Sequence, residues 1–64
     1  MNYQVELVWN RSFSLVPYGE PKETLEEAIH LAKALKNMGD GARVKKAQVI
    51  NIETGEVVKK SYEI

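Results

Sequence analysis

The spacing of apolar residues changes twice along this chain, and the changes divide it into three segments. Residues 3–17 alternate between apolar and polar side chains, as do residues 43–64, and a period of two is typical of strands that bury one face. In the middle segment apolar residues recur every three or four positions, which is typical of an amphipathic helix. The order of elements is therefore predicted as two strands, one helix and two strands.

The middle segment carries signals for both ends of its helix. Thr24 and Glu27 fit a capping box, in which the Thr24 hydroxyl accepts a hydrogen bond from a first-turn amide and Glu27 reaches back to the Thr24 amide. Acidic residues cluster near this end and lysines near the other, where each interacts favourably with the helix dipole. Gly39 provides a stop signal. These signals predict a helix over residues 24–38.

The first alternating segment is too long for one strand, since strands usually run about five to six residues. A three-residue loop over residues 10–12 would pair Trp9 with Phe13 on the core side, whereas a two-residue loop would place a serine opposite Trp9. We take the three-residue loop, which predicts a hairpin over residues 3–17. Residues 17–21 contain two prolines and a glycine and are predicted to form a turn.

The second alternating segment is also predicted to be a hairpin. Residues 53–56 give a strong turn signal, with Gly55 in the left-handed conformation, and a three-residue loop there would pair Ile50 with Val58. In this register, polar residues within 45–48 fall on the core side. A β-bulge or a shorter strand pairing would remove that conflict.

Together these elements predict an α+β fold, a two-layer ββαββ sandwich with a four-stranded, mainly antiparallel sheet and one amphipathic helix on one face. The 64 residues form one domain at most, because a chain of this size buries only about 60% of its unfolded surface. A deep catalytic cleft is therefore disfavoured. The chain has no cysteine, so packing or self-association must hold the fold in place of disulfides.

Residues that could perform catalysis do not occur in a supporting pattern. His30, the only histidine, falls on the polar side of the predicted helix, and no serine is placed for activation by it. The glutamates near Thr24 are explained by capping and by the helix dipole rather than by metal binding. Gly39 and Gly41 follow the helix, whereas a phosphate-binding loop precedes one. We therefore expect a non-enzymatic protein with no cofactor and no metal ion.

The N-terminal segment alternates, and it lacks the basic start and apolar run of a signal peptide. The longest apolar stretches are also too short to span a bilayer. We expect a cytoplasmic protein without a membrane partner.

The net charge of zero hides an asymmetry along the chain. Residues 1–32 hold two basic and five acidic residues, whereas residues 33–64 hold seven basic and four acidic residues, so the halves carry −3 and +3. The predicted C-terminal hairpin carries a basic ribbon of Arg43, Lys45, Lys46, Lys59 and Lys60. Such a ribbon can contact phosphates and enter a major groove. Alternatively, its lysines protect an edge strand from aggregation.

The second candidate surface is the face of the sheet that one helix cannot cover. Alternation places five apolar residues there: Val8, Val16, Tyr18, Val49 and Val57. A contiguous apolar patch suits self-association or a protein partner. The first hypothesis is therefore a small protein-interaction module, homodimeric through this face. The alternative is a nucleic-acid-binding protein that uses the basic ribbon.

Overall fold

The computed structural model describes residues 2–37 and 44–64, which fold as an open four-stranded antiparallel sheet with one α-helix. The elements are β1 (Tyr3–Trp9), β2 (Val16–Lys22), α1 (Leu25–Lys36), β3 (Val44–Asn51) and β4 (Val57–Lys59), followed by a short 3-10 turn (Ser61–Glu63). The strand order is β2-β1-β3-β4. The predicted α+β class and the ββαββ order are confirmed.

Helix α1 begins at the predicted capping box. The Glu27 amide donates to the Thr24 hydroxyl at 3.2 Å, and that hydroxyl donates to Glu27 Oε1 at 3.0 Å. The Glu27 carboxylate thus accepts a hydrogen bond from the Thr24 hydroxyl, whereas the sequence predicted that it would accept one from the Thr24 amide. The helix ends at Lys36 and is capped by Asn37, while the predicted stop at Gly39 lies outside the described residues.

The core lies between α1 and the two central strands. Its buried residues come from one face of β1, one face of β3 and one side of the helix: Val5, Leu7, Val44, Ala47, Val49, Ala28, Ala32 and Leu35. Three of these are alanines with no exposed surface, and their small side chains let the helix approach the sheet closely. The helix therefore covers the face formed by β1 and β3.

The predicted register of the first hairpin is wrong. Leu7 pairs with Val16, and the loop spans residues 10–15, so Phe13 is 95% exposed instead of facing Trp9 in the core. Residues 17–21, predicted as a turn, lie within β2. Proline is tolerated there because β2 is an edge strand, where an amide on the outer side needs no partner in the sheet.

The second hairpin has the predicted register at Val49, which pairs with Lys59, and departs from it at the next pair. Gly55 has the predicted left-handed conformation, with φ +75°, but Ile50 pairs with Val57 instead of Val58. The difference is a β-bulge between these two pairs, in which Val58 is the extra residue on β4. Asn51 closes the turn: its carbonyl accepts from the Gly55 amide at 2.7 Å, and its amide donates to the Glu56 carbonyl at 2.8 Å.

A β-bulge lies near residues 45–48, as one of the two predicted alternatives requires. Val8 pairs with Lys46 and Trp9 with Val44, so Lys45 is the extra residue on β3. Ala47 and Val49 face the helix, whereas the predicted alternation placed both of them on the uncovered side. The predicted conflict disappears, because Lys46 lies opposite Val8 on the face that the helix does not cover.

Candidate nucleic-acid interface

The register of the sheet gathers most acidic residues at one end. Tyr3, the first residue of β1, lies opposite both Lys22 at the end of β2 and Asn51 at the end of β3, so the start of α1 and the β3–β4 turn share this end. We call it the acidic end. It carries Glu20, Glu23, Glu26, Glu27, Glu53 and Glu56.

Among the described residues, the opposite end of the sheet is basic. Trp9 at the end of β1 pairs with Val44 at the start of β3, and the loop of residues 10–15 follows Trp9 directly. The end of α1 lies there too. The basic residues at this end are Arg11, Lys33, Lys36, Lys45 and Lys46. The asymmetry along the sequence thus becomes an asymmetry in space.

An open cleft of about 560 Å³ lies where the C-terminal turn meets β3 and the end of α1. We call it the basic cleft. Within residues 2–37 and 44–64, it is lined by four lysines and four uncharged residues: Lys36, Lys45, Lys46, Lys60, Gln48, Val57, Ser61 and Tyr62.

The C-terminal turn is anchored by side-chain hydrogen bonds. The Ala47 amide on β3 donates to the Ser61 hydroxyl at 3.2 Å, beyond the point where β4 ends. Lys36 Nζ donates to the carbonyls of Ser61 and Ile64, which ties the turn to the end of α1. Lys36 therefore holds one wall of the basic cleft, while three other lysines remain to contact a ligand.

The bulge brings together two lysines that alternation would separate. Lys45 and Lys46 are sequence neighbours, and on a regular strand they would project to opposite faces. Both are exposed and both line the basic cleft, because the extra residue interrupts the alternation. Of the other predicted ribbon residues, Lys60 lines the cleft, Lys59 is half-buried and does not, and Arg43 lies outside the described residues.

Two exposed aromatic rings adjoin the lysines of the cleft. Lys45 Nζ lies 4.8 Å from the centroid of the Phe13 ring, which is 95% exposed. Lys60 Nζ lies 5.9 Å from the centroid of the Tyr62 ring, which is 76% exposed. Both are cation–π contacts at exposed positions.

The position of Phe13 was missed because the sequence reasoning assigned it to the core. A local signal was present: serines flank Phe13, and such a serine can bond the amide two residues on to form a turn. The structure contains this bond, in which the Ser14 amide donates to the Ser12 hydroxyl at 3.0 Å.

Two carboxylates border the basic cleft, and both are already engaged. Glu6 Oε1 accepts from the Gln48 side-chain amide at 3.0 Å, and Glu63 Oε1 accepts from the Lys60 backbone amide at 2.9 Å. Neither lines the cleft among the described residues. The lysine ammonium groups thus set the charge of the cleft surface.

The predicted apolar patch on the uncovered face is not formed, and three of its residues lie elsewhere. Val49 has no exposed surface and belongs to the core, and Val16 packs against that core. Tyr18 pairs with Val5, and residues directly opposite on antiparallel strands share a face, so Tyr18 lies on the helix side. These placements follow from the shifted registers of β2 and β3.

The uncovered face retains two of the five predicted residues. Val8 and Val57 lie there, and Val8 is largely buried by its neighbours. Between Val8 and the Ile50–Val57 pair the face is polar, with the Glu6 to Gln48 hydrogen bond across β1 and β3. This face is therefore a mixed surface rather than a contiguous apolar one.

His30 is exposed on α1 and lines a second open groove with Lys22 and Glu26. Within residues 2–37 and 44–64, no three His, Asp or Glu side chains converge as a metal site would require. In the same part of the chain, no helix has the length and apolar character to cross a membrane.

Comparison with protein-family models, with curated proteins and with solved structures finds no match for this chain. Its function is therefore inferred from its own residues.

Proposed function

We propose that this protein binds nucleic acid through the basic cleft. The observation that carries the proposal is the convergence of lysines from α1, β3 and the C-terminal turn on a cleft with no carboxylate among its described lining residues. Lysines placed in this way neutralise backbone phosphates and release condensed counterions, which is the main source of affinity in sequence-independent binding.

The neutral total charge does not oppose this binding. The seven residues of β1 separate the acidic end from the basic end by about 20 Å, at a rise of about 3.3 Å per residue. The Debye length at physiological salt is about 8 Å, so the glutamates of the acidic end are screened from a phosphate in the basic cleft. The glutamates repel only phosphates that approach the acidic end itself, and this repulsion favours binding with the acidic end turned away from the nucleic acid.

The test is an anisotropy titration of labelled DNA and RNA over a salt series. Within residues 2–37 and 44–64, the ammonium groups of Lys45, Lys46 and Lys60 line the cleft without a hydrogen-bond partner. With these three contacting phosphates, the logarithm of the affinity should fall with the logarithm of salt at a slope of about −2 for a single strand. Replacing all three by glutamine should abolish binding at every salt concentration.

Two control variants make this test specific. Lys22→Gln removes one positive charge at the acidic end and should leave the affinity unchanged, whereas a single Lys→Gln change in the cleft should weaken it. Lys59→Gln tests whether the cleft or the whole basic ribbon binds, because Lys59 belongs to the ribbon but does not line the cleft. Binding by the cleft predicts that this variant keeps its affinity. Absence of salt-dependent binding at low ionic strength would reject the proposal.

A protein partner, or a second copy of this chain, is the second proposal. It rests on Trp9 and Tyr18, which are exposed and pack edge to face with ring centroids 6.3 Å apart. Exposed aromatic residues are enriched at protein interfaces. Light scattering over a concentration series tests self-association, and Trp9→Ser should reduce it; a monomer at every concentration argues against a second copy.

A further inference from the structure

The Phe13 ring is exposed without contributing to the core. Its exposure of 95% means that burial of this side chain stabilises nothing in the described structure. The loop that carries it is nevertheless ordered by hydrogen bonds: the Ser12 amide donates to the Trp9 carbonyl at 2.9 Å, and the Ser14 amide to the Ser12 hydroxyl at 3.0 Å. The loop thus presents the ring to solvent from a defined backbone.

Tyr62 is also exposed on a segment that hydrogen bonds hold in place. It lies in the C-terminal turn, which Lys36 and Ser61 fasten to α1 and β3. Tyr62 lines the basic cleft directly, and Phe13 contacts Lys45, which also lines it. Two exposed ring faces therefore adjoin one positively charged cleft.

We propose that the basic cleft selects single-stranded nucleic acid, with bases stacked on Phe13 and Tyr62 and phosphates bound by the neighbouring lysines. This inference rests on the proposed function and names its ligand class. Bases of a single strand can leave their neighbours and stack on aromatic side chains, whereas the bases of a duplex are already stacked and paired. A positively charged groove with aromatic platforms is the usual combination for such binding.

The two cation–π contacts identify the ring faces that lie next to lysines of the cleft. Lys45 and Lys60 each lie over the ring on which a base would stack. When a base takes that position, the lysine ammonium moves aside to the phosphate that follows the base. Each lysine thus exchanges the ring face for a stronger anionic partner, and the ring gains a stacked base.

The experiment compares an oligothymidine of about 12 nucleotides, within the site-size range of small single-strand-binding folds, with a duplex of equal length. The wild-type protein should bind the single strand more tightly. Phe13→Ala and Tyr62→Ala should each weaken single-strand binding about 5- to 150-fold and leave duplex affinity and the salt slope unchanged. Both side chains are exposed, so these variants should fold.

Conservative and control variants separate stacking from a general effect. Tyr62→Phe keeps the ring and should retain single-strand affinity. Leu15→Ala removes an apolar side chain, 47% exposed, from the loop that carries Phe13, and should leave affinity unchanged because it removes no ring.

The possible results distinguish this inference from the proposed function. Equal or tighter duplex binding, or unchanged affinity in both alanine variants while the lysine variants lose binding, overturns single-strand selection and leaves nucleic-acid binding in place. If the wild-type protein binds neither the single strand nor the duplex at low salt, both single-strand selection and the proposed nucleic-acid binding are overturned.

Discussion

The alternation of β3 decides which residues build the core, and a pair of identical substitutions tests it. Val49 has no exposed surface and packs in the core, whereas Val57 is 41% exposed and pairs with Ile50 on the uncovered face. Threonine has nearly the shape of valine but adds a hydroxyl group, and it is well accepted in strands. Val49→Thr and Val57→Thr therefore differ in the environment of one hydroxyl.

The expected magnitudes follow from burial. A hydroxyl buried in the core at Val49 without a hydrogen-bond partner lowers the free energy of unfolding by about 1–3 kcal/mol. At about 4–8 °C per kcal/mol for a domain of this size, Val49→Thr should lower the Tm by about 4 °C at least and by about 24 °C at most. The Val57 hydroxyl remains in water, so Val57→Thr should change stability by less than about 0.5 kcal/mol.

Thermal unfolding followed by far-ultraviolet circular dichroism measures both variants. Urea unfolding provides a second measure, since a midpoint that shifts at constant m-value reports stability alone. If Val57→Thr destabilises as much as Val49→Thr, or if Val49→Thr has no effect, then the helix packs against the other face of β3. That face contains Ile50, the partner of Val57. The placement of Lys46 beside the basic cleft would then be wrong as well.

Three further substitutions test local features, at Thr24 and Gly55 by the same unfolding assays and at Lys36 by amide hydrogen exchange. Thr24→Ala removes the helix cap and should cost about 1 kcal/mol, while Thr24→Ser should retain most of the stability. Gly55→Ala should cost about 1–2 kcal/mol for the left-handed backbone alone, since nothing lies within 4 Å of an added Cβ, and Gly55→Asn should cost less. Lys36→Met should increase amide exchange in the C-terminal turn, because the ammonium that bonds the Ser61 and Ile64 carbonyls is lost; unchanged exchange would contradict that anchoring role.

The helix could be predicted from the sequence because its signals are local. Thr24 and Glu27 lie three residues apart, so the cap depends on no distant part of the chain. The apolar periodicity then identifies the side that packs on the sheet. The strand registers could not be predicted in this way, because a shift of one residue moves every side chain to the other face.

Two local features caused the errors in register. In β2, Pro17 and Pro21 resemble a turn, yet an edge strand accepts them. The pairing of β2 with β1 also shifts between Tyr3 and Val5, a step that alternation alone does not indicate. The exposed position of Phe13 follows from the register next to the loop, where Leu7 pairs with Val16 and residues 10–15 are left outside the strands. An error in strand pairing thus hid the aromatic part of the candidate site.

The bulge at Lys45 links the least regular part of the sequence to the candidate site. Polar residues that alternation assigned to the core are a local conflict, and such conflicts concentrate where function competes with folding. In the structure the extra residue resolves the conflict by returning Ala47 to the core and leaving Lys45 and Lys46 both at the basic cleft. A regular strand would separate the two lysines, so the same irregularity that misled the sequence analysis concentrates charge where we propose that nucleic acid binds.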